Sequence, residues 1–74
     1  MATMKLDTTG LRLKTQRARR RLTLVQLAAL TDIDKSQLSR LERDERQPHL
    51  GHIQALAKAL RCSPQDLVPR RAAP

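Results

Sequence analysis

A chain of 74 residues makes one domain, and at this length only about 60% of the unfolded surface is buried on folding, so the core must be compact and local. Hydrophobic residues make up 39% and include no Phe, Trp or Tyr, so Leu, Ile, Val and Ala must build that core, and no run approaches the roughly 20 apolar residues that span a bilayer. Fifteen Lys and Arg against seven Asp and Glu leave a formal net charge of +8, which points to a polyanionic partner and, without aromatic anchors, away from a membrane surface.

Residues 1–10 (MATMKLDTTG) have no helical period and no apolar run of the kind found in a secretory leader, and they read as a flexible N-terminal arm. Lys5 in that arm is a candidate phosphate contact. Residues 11–20 (LRLKTQRARR) are good helix formers and predict helix one, with Leu13 as its clearest core contact. The basic run at residues 17–21 (RARRR) reads mainly as a solvated face, and Arg19 and Arg21 draw in a polyanion without contacting it at a fixed place.

Thr23 followed three residues later by Gln26 is a capping box: the hydroxyl accepts from a free amide of the first turn and the side-chain amide reaches back. Helix two is therefore expected to start near Leu24. Leu27 and Ala28, with Leu24 and Thr31, share one face, and Asp32 ends the helix because Asp tolerates a left-handed exit. Asp34 is a good N-cap for helix three, residues 35–42 (KSQLSRLE). Ile33 at the staple position, Leu38 and Leu41 point to the core, which leaves Lys35, Ser36, Ser39 and Arg40 on the opposite face with Gln37 at its edge. That face holds no apolar side chain and is rich in the donors and acceptors that read base edges and phosphates.

Residues 43–49 (RDERQPH) form a charged connection in which Arg43, Arg46 and Gln47 are candidate phosphate contacts and Pro48 favours extended backbone before a new helix. Leu50, Ile53, Leu56, Ala57 and Leu60 fall at helical spacing and predict a core-facing stripe on helix four. Arg61 follows where a glycine stop is usual, and Cys62 is expected to be buried and inert. Ser63, Pro64 and Asp66 give a second cap signature, from which Leu67 and Val68 would close the core on a short fifth helix. Residues 69–74 read as a flexible C-terminal tail.

The sequence gives catalysis little support. His49, His52 and Cys62 match no zinc spacing, and two glycines, Gly10 and Gly51, cannot make a phosphate-cradling loop. The lone Cys62 cannot form an internal disulfide, which fits a reducing cytoplasm. The expectation is a cytoplasmic, non-enzymatic protein with no metal and no cofactor.

The stretch from Leu22 to Leu60, above all the string SQLSRLE with a proline six residues after the Glu and then LGHIQALAKAL, resembles the Cro/repressor-type helix-turn-helix family, also called XRE-like. The resemblance runs from about residue 11 to residue 68. It implies an all-α, compact five-helix fold like that of lambda repressor, with helix three in the major groove of DNA. Carried across residue by residue, it puts Lys35, Ser36 and Arg40 at base edges, Gln37 and Ser39 at base or phosphate, and Thr23, Arg43, Arg46 and Gln47 along the backbone. It further implies a partly buried ion pair between Arg17 and Glu42. Where family members often carry Gln at the start of helix two this chain has Leu24, and where they carry Gly it has Arg21 and Asp44.

Two uses of such a domain follow. In the first, a homodimer reads a palindromic operator and regulates transcription, as a repressor does. In the second, the chain is chiefly a protein-binding module, an antitoxin of a toxin pair or an adaptor for another regulator, with helices four and five or the tails as the docking surface. Lys35 and Arg40 on the outward face of helix three favour the first.

Overall fold

Short polar side chains set where the helices begin. Thr8 accepts from the Leu11 amide and starts α1 (Thr9–Arg19). Thr23 and Gln26 form the reciprocal box expected of them, with bonds of 3.1 and 2.8 Å, at the head of α2 (Leu24–Thr31). Asp34 accepts from the Ser36 amide at 3.0 Å and opens α3 (Lys35–Glu42), and the Nδ1 of His49 accepts from the His52 amide to open α4 (Leu50–Leu60). This computed structural model describes residues 7–69, and those residues contain no β-strand.

The described chain differs from its sequence reading at both ends. Helix α1 begins at Thr9 rather than Leu11, because Thr8 caps it and Gly10 is buried within it, so residues 8–10 are not part of an arm. Lys5 and residues 70–74 lie outside the described residues. At the other end the cap signature is used, the Asp66 carboxylate accepting from the Ser63 amide at 2.9 Å, but it starts a 3₁₀ turn (Pro64–Leu67) instead of a fifth α-helix. With Pro69 close behind, the segment has no room for a second turn.

Ten side chains form the core: Leu13, Leu27, Ile33, Leu38, Leu41, Ile53, Leu56, Ala57, Leu60 and Leu67. All but Leu67 come from the four helices and the α2–α3 turn, and Leu22, Leu24, Ala28, Ala59 and Cys62 pack against them half-buried. Two expected members are missing. Leu50 is 69% exposed, since at the first position of α4 its side chain leans back past the end of the helix and away from the stripe begun by Ile53. Val68 is 38% exposed because the extended backbone after the 3₁₀ turn faces it outward while Leu67 turns in.

The exits of the elements are made without glycine. Arg21, Asp32, Asp44 and Arg61 have φ values of 55°, 60°, 59° and 53°. Each is a left-handed residue carrying a Cβ, a conformation that costs roughly 1–2 kcal/mol for an L-residue. Asp32 was legible as such from its residue type, and Arg21, Asp44 and Arg61 are the positions where the sequence departs from an expected glycine.

Candidate nucleic-acid interface

Helix α3 lies across the chain so that Leu38 and Leu41 are fully covered while Lys35, Ser36 and Arg40 remain exposed. Gln37 and Ser39 are half-buried at the margins of that face. The sequence pattern therefore divides α3 as expected, with Lys35, Ser36 and Arg40 outward and Gln37 and Ser39 at the edges. Ser36 carries a further constraint that the pattern did not show: its hydroxyl donates to the Asp34 carboxylate that caps the helix. The Ser36 side chain and amide hold the Asp34 carboxyl below its ordinary value, so Asp34 is fully ionised near neutrality.

Two further elements flank this face. The start of α2 presents Thr23, exposed, with its hydroxyl engaged by the Gln26 amide and first-turn amides that have no intrahelical acceptor. The loop after α3 presents Arg43, Arg46 and Gln47, all exposed. Arg43 is partly drawn back, its Nε donating to the Ser39 carbonyl at 3.4 Å and its other end 3.4 Å from Glu45.

What aims α3 is the expected pair. Arg17 on α1 donates to both carboxylate oxygens of Glu42, at 2.5 and 3.0 Å, and its remaining nitrogen donates to the Leu22 carbonyl at 2.9 Å. The two side chains are only 18% and 6% exposed, and the bond to Glu42 outweighs burial in raising the Arg17 pKa. One guanidinium thus fixes the end of α3, the body of α1 and the segment leading into α2. The bidentate geometry gives orientation as well as attraction.

Two contacts escaped the sequence reading. The Gly10 amide donates to the Asp44 carboxylate at 3.0 Å, which binds the first turn of α1 to the loop leaving α3. Arg20, counted among a run of surface arginines, reaches the carbonyl of Leu60 that ends α4, at 2.8 Å, and that of the capping Arg61, at 3.2 Å. Gly10 carried a faint signal, a small residue just before helical sequence. Arg20 carried none, because its targets are backbone atoms forty residues away.

The histidines are used locally. His49 and His52 stack with ring centroids 3.6 Å apart, and His49 spends its Nδ1 on the α4 cap. His52 is half-buried, its Nδ1 covered and without a hydrogen-bond partner among the described residues. Burial, then His49 and Arg46, push its pKa down. Cys62 is half-buried, and burial with Asp66 nearby pushes its thiol up, away from the reactive thiolate.

The helix-turn-helix family model matches residues 13–67. The immunity repressor protein of Bacillus phage phi105 is 43% identical over 53 residues, which cover 72% of this chain and 37% of that protein. The chain thus spans little more than a third of that relative's length. The restriction-modification controller protein C.AhdI from Aeromonas hydrophila is 36% identical with a TM-score of 0.77, covering 80% of this chain and 89% of that one. The P22 c2 repressor, solved in complex with a synthetic operator, is 28% identical with a TM-score of 0.80, covering 85% and 96%.

Proposed function

The chain belongs to the helix-turn-helix family, and from that premise we propose that it binds operator DNA through α3 and represses transcription. The observation that carries this is the outward face of α3: five polar side chains, none apolar, on a helix whose end is held by Arg17 and Glu42. The net charge of +8 supplies the sequence-independent attraction, and the repressor seen on its operator shares the fold.

In this reading Lys35 and Arg40 donate to base edges, with guanine O6 and N7 as the natural acceptors. The Ser36 hydroxyl hydrogen is engaged by the Asp34 carboxylate, so the oxygen offers a base an acceptor and suits the amino group of adenine or cytosine. Gln37 and Ser39 meet base or phosphate at the margins. Thr23, Arg43, Arg46 and Gln47 follow the backbone on either side, and Arg43 must leave Glu45 to do so. The α2 amides take over the phosphate contact that Leu24 cannot make.

A homodimer would place two such helices in successive major grooves, about 34 Å apart, and so read a palindrome. In this picture the 3₁₀ turn at Pro64–Leu67 stands in the place of a fifth helix. The workplace is the cytoplasm, where DNA is reached directly. The alternative, an antitoxin or adaptor whose main role is a protein partner, has less support: the relatives reported above are named as repressors or as a controller.

Selection of bound sequences from random duplexes, repeated at two salt concentrations, tests the reading. It predicts a motif with two-fold symmetry that persists at the higher salt. Weak, salt-sensitive retention without a motif would reduce the interface to charge alone.

A further inference from the structure

A groove of about 580 Å³ runs between the end of α1, the end of α2 and the outer side of α4. Its floor is apolar, made by Leu22, Leu30, Ala55 and Ala59, and Leu30 stands 60% exposed on one wall. Arg20, Lys58 and Arg61 form the rim, and no acidic residue lines it. No residue of α3 or of the Arg43–Gln47 loop takes part, so the groove is separate from the proposed DNA face.

We propose that this groove docks an acidic amphipathic helix from another protein. Apolar side chains on one face of that helix would cover Leu30 and the alanines, which are small enough to let a helix backbone approach. Carboxylates along its edges would meet Lys58 and Arg61, which have no ion-pair partner among the described residues, and the open side of Arg20. Duplex DNA satisfies the rim but has nothing to bury Leu30. A second copy of this chain suits the site poorly, since most of its carboxylates are spoken for: Glu42 by Arg17, Asp7 by Arg12, Asp44 by the Gly10 amide, Asp66 by the Ser63 amide, and Asp34 by Ser36. With DNA on α3 and a partner helix here, the domain would hold both at once.

The test uses the full chain and two synthetic amphipathic helices with identical leucine spacing, one with Glu and one with Lys on the polar face, followed by fluorescence anisotropy. The Glu peptide is expected to bind saturably, and the Lys peptide at least about tenfold more weakly. Leu30→Ser and Lys58→Glu should each weaken the Glu peptide about tenfold, whereas Lys14→Glu, an equal charge change outside the groove, leaves it nearly unchanged. Leu30→Ser should retain duplex DNA binding, and its exposed position makes a folding defect readable by circular dichroism. Absence of saturable binding, equal loss in Lys14→Glu, or displacement of the peptide by duplex DNA with a matching loss of DNA binding in Leu30→Ser would overturn the proposal.

Discussion

The backbone amide of Gly10 donates to the side chain of Asp44 at 3.0 Å, across thirty-four positions of sequence, and this bond closes the first turn of α1 onto the exit of α3. The approach is possible only because position 10 has no side chain. A Cβ built there would lie 2.5 Å from the Glu42 carbonyl oxygen and 2.6 Å from that of Leu41, both backbone atoms that cannot swing aside. Gly10→Ala is therefore expected to destabilise by about 1–3 kcal/mol, the range for overpacking a tight contact, although alanine is the better helix former. Thermal melts followed by circular dichroism would show a fall of roughly 4–8 °C per kcal/mol for a domain of this size. An unchanged or raised midpoint would mean that α1 can shift away from α3 at little cost.

Glu42→Gln removes the charge that Arg17 is buried against while keeping the shape. The guanidinium retains the Leu22 carbonyl but loses its ionised partner, and the expected loss is about 1–3 kcal/mol. In a urea double-mutant cycle, Arg17→Met with Glu42→Leu should lose clearly less than the sum of the single changes, because neither charge is then left alone. Strict additivity would show that the pair contributes no coupling.

At Arg21 the left-handed backbone, φ 55°, carries a Cβ without an evident return, since the residue is exposed. Arg21→Gly should stabilise by about 0.5–1 kcal/mol, the left-handed penalty less the extra chain entropy of glycine. Asp44→Gly should not gain in the same way, because it also removes the acceptor for the Gly10 amide. Comparing the two melts separates backbone strain from side-chain bonding.

Acidification should weaken the fold in the histidine range. The His52 pKa is held below its ordinary 6.5 by burial, and secondarily by His49 and Arg46, so the unfolded chain takes up the proton first. The stability contributed by neutral His52 is complete above about pH 6.5 and declines as the pH falls from there toward the lower folded pKa. Urea midpoints should drop as the pH falls through about 6.5, and His52→Gln should flatten that slope. A His52→Gln slope equal to that of the parent would place the proton uptake elsewhere.

The helix-turn-helix itself was open to sequence reading because its signals are local. The Thr23–Gln26 box, the left-handed exit at Asp32, the Asp34 cap and the spacing of Leu38 and Leu41 each act within one or two turns, and each is found in the structure. The ion pair of Arg17 and Glu42, though distant in sequence, was accessible through family resemblance. Contacts that join a side chain to distant backbone were not legible, as with Arg20 on the α4 carbonyls and Asp44 on the Gly10 amide. Errors in the core came at element ends, where periodicity stops being a guide: Leu50 follows the stripe in sequence but projects past the helix, and Val68 follows a turn too short to bring it inward. At the interface, spacing separated the outward from the inward face of α3, whereas the use of the Ser36 hydroxyl by Asp34 required three-dimensional placement.

The division of labour between α3 and the loop after it is tested most directly by comparing Arg40→Ala with Arg46→Ala on a selected duplex and on a shuffled one, each at two salt concentrations. Arg40→Ala should lose about 1–3 kcal/mol on the selected duplex, lose far less on the shuffled one, and accept alternatives at one base pair. Arg46→Ala should weaken both duplexes alike and reduce the salt slope by about one. If the two variants lost the same affinity on both duplexes, α3 would not be reading bases, and its outward polar face would serve only to hold the phosphate backbone.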